Sequence, residues 1–226
     1  MRCHLRRARL LMLLLVLGIA PAIYATASDP ADPPTERFLS RTERQHAYRA
    51  ARHLKAANGD RRGWLVATTQ YSAAAGFRYQ ITAGGGSDYI RTNVLKAVLD
   101  GERDMIALGE AARSTLARTN YTFQPNGIDA EGFANVLLTP RRKERSLISG
   151  VMFLRPDEAE LVRLEGRLAR NPSFWVKDVD IVRTYDRIGT VVVPVAVESK
   201  AHVRFLGAAT FSMTYDYTEI DGRRVN

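Results

Sequence analysis

The stretch from Arg187 to Ile220 reads RIGTVVVPVAVESKAHVRFLGAATFSMTYDYTEI. From Ala201 to Tyr217 the odd-numbered positions are apolar, small or aromatic, and most even-numbered positions are polar. Successive side chains of a β-strand point to opposite faces, so this alternation predicts a sheet with one apolar and one solvated face. One strand of this length would span roughly 56 Å. We therefore expect two long antiparallel strands, about 190–206 and 209–219, that meet near Gly207.

The first 27 residues are typical of a secretory signal peptide. Four arginines precede an apolar run that starts at Leu10, and Ala25-Thr26-Ala27 presents small residues where a signal peptidase cleaves. The run is short for a membrane span. We expect cleavage between Ala27 and Ser28 and a periplasmic mature protein; the alternative is an uncleaved membrane tether.

Composition describes one globular domain of ordinary make-up, with 226 residues, 46% of them hydrophobic and 25% charged. The formal net charge is +9, but four of these positive charges lie in the signal peptide, which leaves about +5. No basic stripe with interleaved aromatics remains, so nucleic acid is not an expected partner. The single cysteine, Cys3, is also in the signal peptide, so the mature chain has no disulfide and no thiolate metal site.

The rest of the chain divides into a linker and one domain. Residues 28–39 are rich in proline and predict a linker, and residues 40–222 predict the folded domain. Apolar spacing predicts helices at about 41–57, with an alanine-rich stripe, and at about 88–117. Strand-like runs lie at 64–71, 77–82, 121–124, 133–139, 147–154, 160–168 and 174–185.

Consecutive strands joined by short turns pair antiparallel. The expected fold class is therefore α+β. We expect a curved antiparallel half-barrel sheet of about 8–11 strands, with two or three helices covering its concave apolar face.

Motifs that carry catalytic chemistry are not found in the sequence. It has no G-x-S-x-G elbow, no S-x-x-K and no H-E-x-x-H. The chain is therefore expected to be a binding protein and not an enzyme, with no metal site and no cofactor.

Large side chains on the apolar face are the candidate ligand site. They are Phe174, Trp175, Val203, Phe205, Phe211, Met213, Tyr215 and Tyr217. Two outcomes are open: the helices fill the space above these residues, or a cavity remains that accepts an acyl chain.

A dense basic cluster is formed by Arg141, Arg142, Lys143 and Arg145. One reading is a solvated turn between two strands. The other is a surface patch that meets anionic lipid, at the periphery of a membrane, or an acidic partner protein.

Several of these elements together resemble the LolA-like superfamily of exported proteins, which includes the LolA and LolB lipoprotein carriers, RseB-type regulators and LppX-like lipid binders. The resemblance covers roughly residues 40–222. It rests on Leu164-Glu165-Gly166, on Pro172 to Val176, on Ile188-Gly189 with Val193-Pro194-Val195, and on Phe211-x-Met213-x-Tyr215-x-Tyr217.

The resemblance implies an open half-barrel closed by helices around a hydrophobic cavity. The arginine that latches the lid of the lipoprotein carriers has no matched position in this sequence. The implied function is therefore binding of a lipid, a lipoprotein acyl chain or another hydrophobic ligand. The alternative is an RseB-like envelope sensor or protein-interaction module without a stable ligand.

Overall fold

The computed structural model describes residues 22–24, 33–171, 176–204 and 207–225. Most of these residues belong to one antiparallel sheet of eleven strands. The long strands are β3 Tyr48–Asn58, β4 Arg61–Ser72, β5 Gly76–Gly86, β6 Tyr121–Ile128, β7 Ala134–Pro140, β8 Ile148–Arg155, β9 Glu160–Leu168, β10 Val176–Ile188, β11 Val191–Val203 and β12 Gly207–Ile220, followed by the short β13 Arg223–Arg224.

The order of strands across the sheet is β5-β4-β3-β12-β11-β10-β9-β8-β7-β6, with β13 paired to β12. Within the described ranges, the edge strands β5 and β6 do not pair with each other, so the sheet is open. A separate short pair joins β1 Ala22–Tyr24 to β2 Thr42–Arg44. The expected large antiparallel sheet is confirmed, and its open edges are compatible with a half-barrel. It consists of two meanders, β3 to β5 and β6 to β12, which are joined by the pairing of β3 with β12.

Strands β11 and β12 confirm the alternation that predicted them. On β12, Phe211, Met213 and Tyr215 are buried. Thr214 and Asp216, at the alternate positions, are exposed. We call the face that carries the buried side chains the inner face. One cluster of buried apolar side chains lies on this face and includes residues from all ten long strands, β3 to β12.

The predicted helix at 41–57 is wrong, because most of this segment is strand β3. On β3, Ala50, Arg52, Leu54 and Ala56 alternate as buried residues. Alanine favours helices, but β3 pairs along its whole length with β4 on one side and β12 on the other. This pairing overrides local propensity.

One main helix covers the inner face, fewer than the two or three expected. It comprises α2 Asp88–Ile90, a π-helical turn Arg91–Leu95 and α3 Lys96–Ala107 in direct succession. We call residues 88–107 the covering helix. Its apolar stripe is buried, and it lies over β3, β4 and β5. The chain beyond it forms a short 3₁₀ turn, Ala111–Ser114, so the helix ends before the predicted residue 117.

A second, short helix, α1 Pro34–Leu39, lies inside the segment expected to be a linker. Its Phe38 side chain is buried in the main cluster. Two arginines, one within α1 and one just after it, tie this segment to the β8–β9 turn. Arg37 Nη1 donates to the backbone oxygen of Asp157, and Arg41 Nη1 donates to that of Ala159.

Two facing glycines allow strands β8 and β9 to approach closely. Gly150 and Gly166 are directly opposite each other in the ladder. A Cβ atom on Gly150 would lie 1.9 Å from the backbone oxygen of Glu165, and one on Gly166 would lie 2.3 Å from that of Ser149. Because only glycine fits such a crossing, this pair marks a close backbone contact inside the sheet.

Candidate functional site

The predicted ligand-site residues that the structure describes come together on the inner face. Val203, Phe211, Met213 and Tyr215 are buried in the main cluster, and Tyr217 packs against it. Phe174, Trp175 and Phe205 lie outside the described residues, as do the predicted cleavage residues Ala27 and Ser28. The described side chains therefore form one apolar surface along β12 and the end of β11.

A buried ion pair lies between the inner face and the covering helix. Arg52 Nη1 donates to Glu102 Oε2 at 2.5 Å, and Arg52 Nη2 donates to Glu102 Oε1 at 2.9 Å. Arg52 belongs to strand β3 and Glu102 to the covering helix, and both side chains are almost completely buried. The pair therefore joins the sheet to the helix through two charge-assisted hydrogen bonds.

Aromatic rings surround the Arg52 guanidinium. Its Cζ lies 4.7 Å from the ring centre of Tyr215 and 4.9 Å from that of Phe77, both within the range of cation–π attraction. Tyr215 stacks on Tyr217 with ring centres 5.9 Å apart, and Tyr48 meets Tyr217 edge to face at 5.7 Å. The charge is therefore enclosed by rings rather than by water.

Burial and charge shift the pKa values of this cluster. Burial acts to lower the pKa of Arg52, but the Glu102 carboxylate together with Tyr48 and Tyr215 offsets this effect, and the pKa lies well above its ordinary value. Burial raises the pKa of Tyr215 to about 12 and that of Tyr48 well above its usual range. At neutral pH the site therefore holds a charged arginine and protonated phenols.

A second buried arginine, Arg183, lies on strand β10. It occupies the same face as Ile181 and Tyr185, and only 6% of its surface is exposed. Its Nε and Nη2 atoms are buried without a hydrogen-bond partner. The inner face thus carries two guanidinium groups, of which Arg52 has a carboxylate partner.

The basic cluster divides into structural and free residues. Arg141 Nε donates to the backbone oxygen of Arg118 at 2.7 Å, and Arg142 Nη2 donates to Asn120 Oδ1 at 2.7 Å. Lys143 is exposed, and Arg145 borders a surface pocket. Arg141 and Arg142 therefore hold the turn between β7 and β8 in place.

Three surface pockets are bounded by described residues. One of about 490 Å³ lies between the end of the covering helix and the basic turn, lined by Met105, Leu108, Arg145 and Arg170 among others. A second, of about 530 Å³, is bordered by Lys55, Trp64 and Lys200. A third, of about 820 Å³, lies beside Arg187, Arg223 and Arg224.

Arg52, Glu102 and Arg183 were missed by sequence reasoning, although each carries a signal. Arg52 lies between Ala50 and Leu54 in strand phase. Glu102 follows Val98 by four residues, in phase with the apolar stripe of the helix. A charged residue at an apolar phase position signals a buried pair or a binding group.

Within the described ranges, no cluster of three or more histidine, cysteine, aspartate or glutamate side chains is arranged to hold a metal ion. The same part of the chain contains no helix with the length and apolar character that crossing a membrane requires.

Comparison with known proteins identifies little. No family model matches the sequence, and no curated protein matches it. A solved structure of a DUF1329 family protein from Desulfovibrio piger is similar at 9% sequence identity, over 76% of this chain and 84% of that chain, with a TM-score of 0.36. A similarity at this level assigns neither a family nor a function.

Proposed function

We propose that this chain is an exported periplasmic protein of LolA-like type. It binds a lipid, a lipoprotein acyl chain or another hydrophobic ligand between the inner face of the sheet and the covering helix. The observation that carries this proposal is the continuous apolar cluster on the inner face of the sheet. The covering helix lies over only three of its strands, β3 to β5.

Binding would proceed by burial and not by bond chemistry. Each methylene group moved from water into this face contributes about 0.8 kcal/mol. Met213 suits such a role because its flexible thioether adapts to irregular space. The inner side chains are already in contact with one another, so a ligand needs the covering helix to move away from the sheet.

The Arg52–Glu102 pair favours this interpretation of the helix as a lid. It is a polar link in an otherwise apolar interface, and it holds the helix on the sheet. In this proposal Arg52 holds the helix closed over the sheet. Opening the lid would either break this ion pair or require Arg52 and Glu102 to move together.

Native mass spectrometry of the full chain, purified from bacterial cells without added lipid, tests the proposal, together with uptake of a fluorescent fatty acid. We expect a co-purified lipid or saturable uptake. Met213→Trp, which fills the inner face, should reduce uptake by roughly tenfold or more. Thr214→Trp, on the outer face of the same strand, should not. Absence of both bound lipid and uptake would refute the proposal.

An envelope protein-interaction module is the second candidate. The pocket of about 490 Å³ favours it, because Leu108 is 73% exposed there beside Arg145 and Arg170. The pocket lining also contains Asp104, Glu110 and Glu144. A partner segment would fit this chemistry if it placed an apolar residue on Leu108 and an acidic group beside Arg145 and Arg170. The double variant Arg145→Glu, Arg170→Glu should lose a partner that Lys143→Glu retains. Equal retention by both variants would contradict this candidate.

A further inference from the structure

Arg183 presents an unused hydrogen-bonding edge to the interior of the protein. Nε–H and Nη2–H of a guanidinium lie on the same side of the group and point in parallel. In Arg183 these are the two atoms that are buried without a partner. This edge matches the two oxygens of a carboxylate or phosphate, which accept such a pair of hydrogen bonds together.

Within the described part of the chain, the charge of Arg183 is not compensated. Among the described residues it forms no ion pair with an aspartate or glutamate, and no aromatic ring stacks on it. The positive charge of Arg183 acts to lower the pKa of Tyr121 and of Tyr215, but neither phenol is hydrogen-bonded to Arg183. Buried charges in proteins are normally paired, because an isolated charge in the interior is strongly unfavourable. A missing anion is therefore expected at this position.

The surroundings of Arg183 suit an anion that carries a hydrocarbon tail. Across the sheet, Arg183 of β10 pairs with Val197 of β11, which pairs with Met213 of β12. Two residues earlier on β10, Ile181 pairs with Ser199, which pairs with Phe211. Towards the start of β10 the inner face continues through Val179 to Val176, which pairs with Val203. This gives roughly 20 Å of mainly apolar strand beside the guanidinium.

We propose that Arg183 binds the anionic head group of an amphiphilic ligand, a carboxylate or phosphate, through its Nε–Nη2 edge, while the tail crosses the inner face from β10 through β12 to β3, beneath the covering helix. This inference rests on the proposed function and specifies its ligand class. Arg52 does not serve this role because Glu102 already occupies its two terminal nitrogens.

Binding of palmitate, its uncharged methyl ester, acetate and inorganic phosphate to the full chain tests the inference, measured by calorimetry and by the shift in melting temperature. We expect palmitate to bind roughly tenfold or more tightly than the methyl ester, about 1.4 kcal/mol per factor of ten. Arg183→Met should remove this preference while leaving the affinity for the methyl ester unchanged. Arg183→Lys should keep part of it, because the charge remains and the paired edge is lost.

Stability without ligand supplies a second measurement. Since Arg183 has no counter-ion among the residues that the structure describes, Arg183→Met should raise the melting temperature by about 2–4 °C. Arg167→Met is the control, because Arg167 is an exposed arginine on the neighbouring strand β9 whose ion pair with Asp180 should contribute less than about 1 kcal/mol. A fall in melting temperature for Arg183→Met would mean that Arg183 is a structural residue, and it would overturn the inference.

The outcomes separate the two proposals. If the methyl ester binds and palmitate has no advantage, or if Arg183→Met keeps the preference, the proposed function stands and the assignment of Arg183 fails. If acetate or phosphate alone stabilises the protein as much as palmitate does, the site takes a free anion and the amphiphile assignment fails. If neither palmitate nor its ester binds, both proposals fail.

Discussion

Arg52 on strand β3 and Glu102 on the covering helix form a bidentate ion pair, with donor–acceptor distances of 2.5 and 2.9 Å. The rings of Phe77 and Tyr215 pack against the Arg52 guanidinium. Arg52 and Glu102 are fifty positions apart in the chain. Each would be an isolated buried charge without the other. We infer that the pair helps to fix the position of the helix on the sheet.

Removing one member of this pair should strongly destabilise the protein. Glu102→Gln leaves the Arg52 charge buried without a carboxylate, and we expect the free energy of unfolding to fall by about 3–5 kcal/mol. Denaturation in urea at neutral pH measures this change. The double variant Arg52→Met, Glu102→Leu removes both charges and should be much closer to wild type.

The exposed pair Arg167–Asp180 is the control for this prediction. Its Nε–Oδ1 distance is 2.7 Å, but both side chains are more than half exposed. Asp180→Asn should therefore change the free energy of unfolding by less than about 1 kcal/mol. Equal losses for Glu102→Gln and Asp180→Asn would contradict the special role of the buried pair.

Alkaline pH should destabilise the fold through Tyr215. Burial raises its pKa from 10.0 to about 12, so between these values the unfolded chain releases the phenolic proton while the folded chain keeps it. Stability from this group is complete below pH 10 and is lost as the pH rises towards 12. The loss is on the order of 2–3 kcal/mol.

Tyr215→Phe tests this alkaline prediction. The variant should lose less stability than wild type over the same pH interval, measured by denaturation at a series of pH values. At neutral pH the two proteins should be closer in stability, because the phenol is protonated in both folded and unfolded wild-type chains. Identical alkaline curves would show that Tyr215 does not titrate as inferred.

The facing glycines should not tolerate a side chain. Gly150→Ala places a Cβ 1.9 Å from a backbone oxygen, so strands β8 and β9 must separate locally. We expect a loss of at least about 1–3 kcal/mol in the free energy of unfolding. Ser149→Ala, at the exposed neighbouring position, should change stability by no more than about 0.5 kcal/mol. A stable Gly150→Ala variant would argue against this close approach.

The basic cluster should respond unequally to substitution. Arg142 bonds to the buried Asn120, to the backbone oxygen of Arg113 at 3.0 Å, and to Glu144 at 2.8 Å. We expect Arg142→Ala to lower the free energy of unfolding by about 1–3 kcal/mol. Lys143→Ala should leave it within about 0.5 kcal/mol. Thermal denaturation of both variants checks the difference, and equal effects would refute a structural role for Arg142.

The two faces of β12 and the presence of the covering helix were predictable, because local periodicity decides both. Phe211, Met213 and Tyr215 alternate with polar residues over a long stretch, and Ile90, Val94, Val98 and Leu99 repeat with helical spacing. Strand β3 was not predictable in the same way. Its alanines suit a helix, and the burial of Arg52 becomes favourable only when Glu102 arrives from another element.

The candidate site was predicted in part. The apolar residues of β12 were identified because their size and alternation are visible in the chain. Arg183 was not identified, because the sequence shows a charged residue in an apolar phase but not whether a carboxylate meets it. That question depends on which side chains the folded sheet brings together.

The amino-acid sequence by itself determined that most of this protein is antiparallel sheet with one apolar face, since alternation is a property of neighbouring residues. Only the tertiary structure decided that Arg52 is neutralised by Glu102 and that Arg183 has no counter-ion among the described residues. The physical reason is that the stability of a buried charge depends on partners distant in the chain, and folding alone sets these distances.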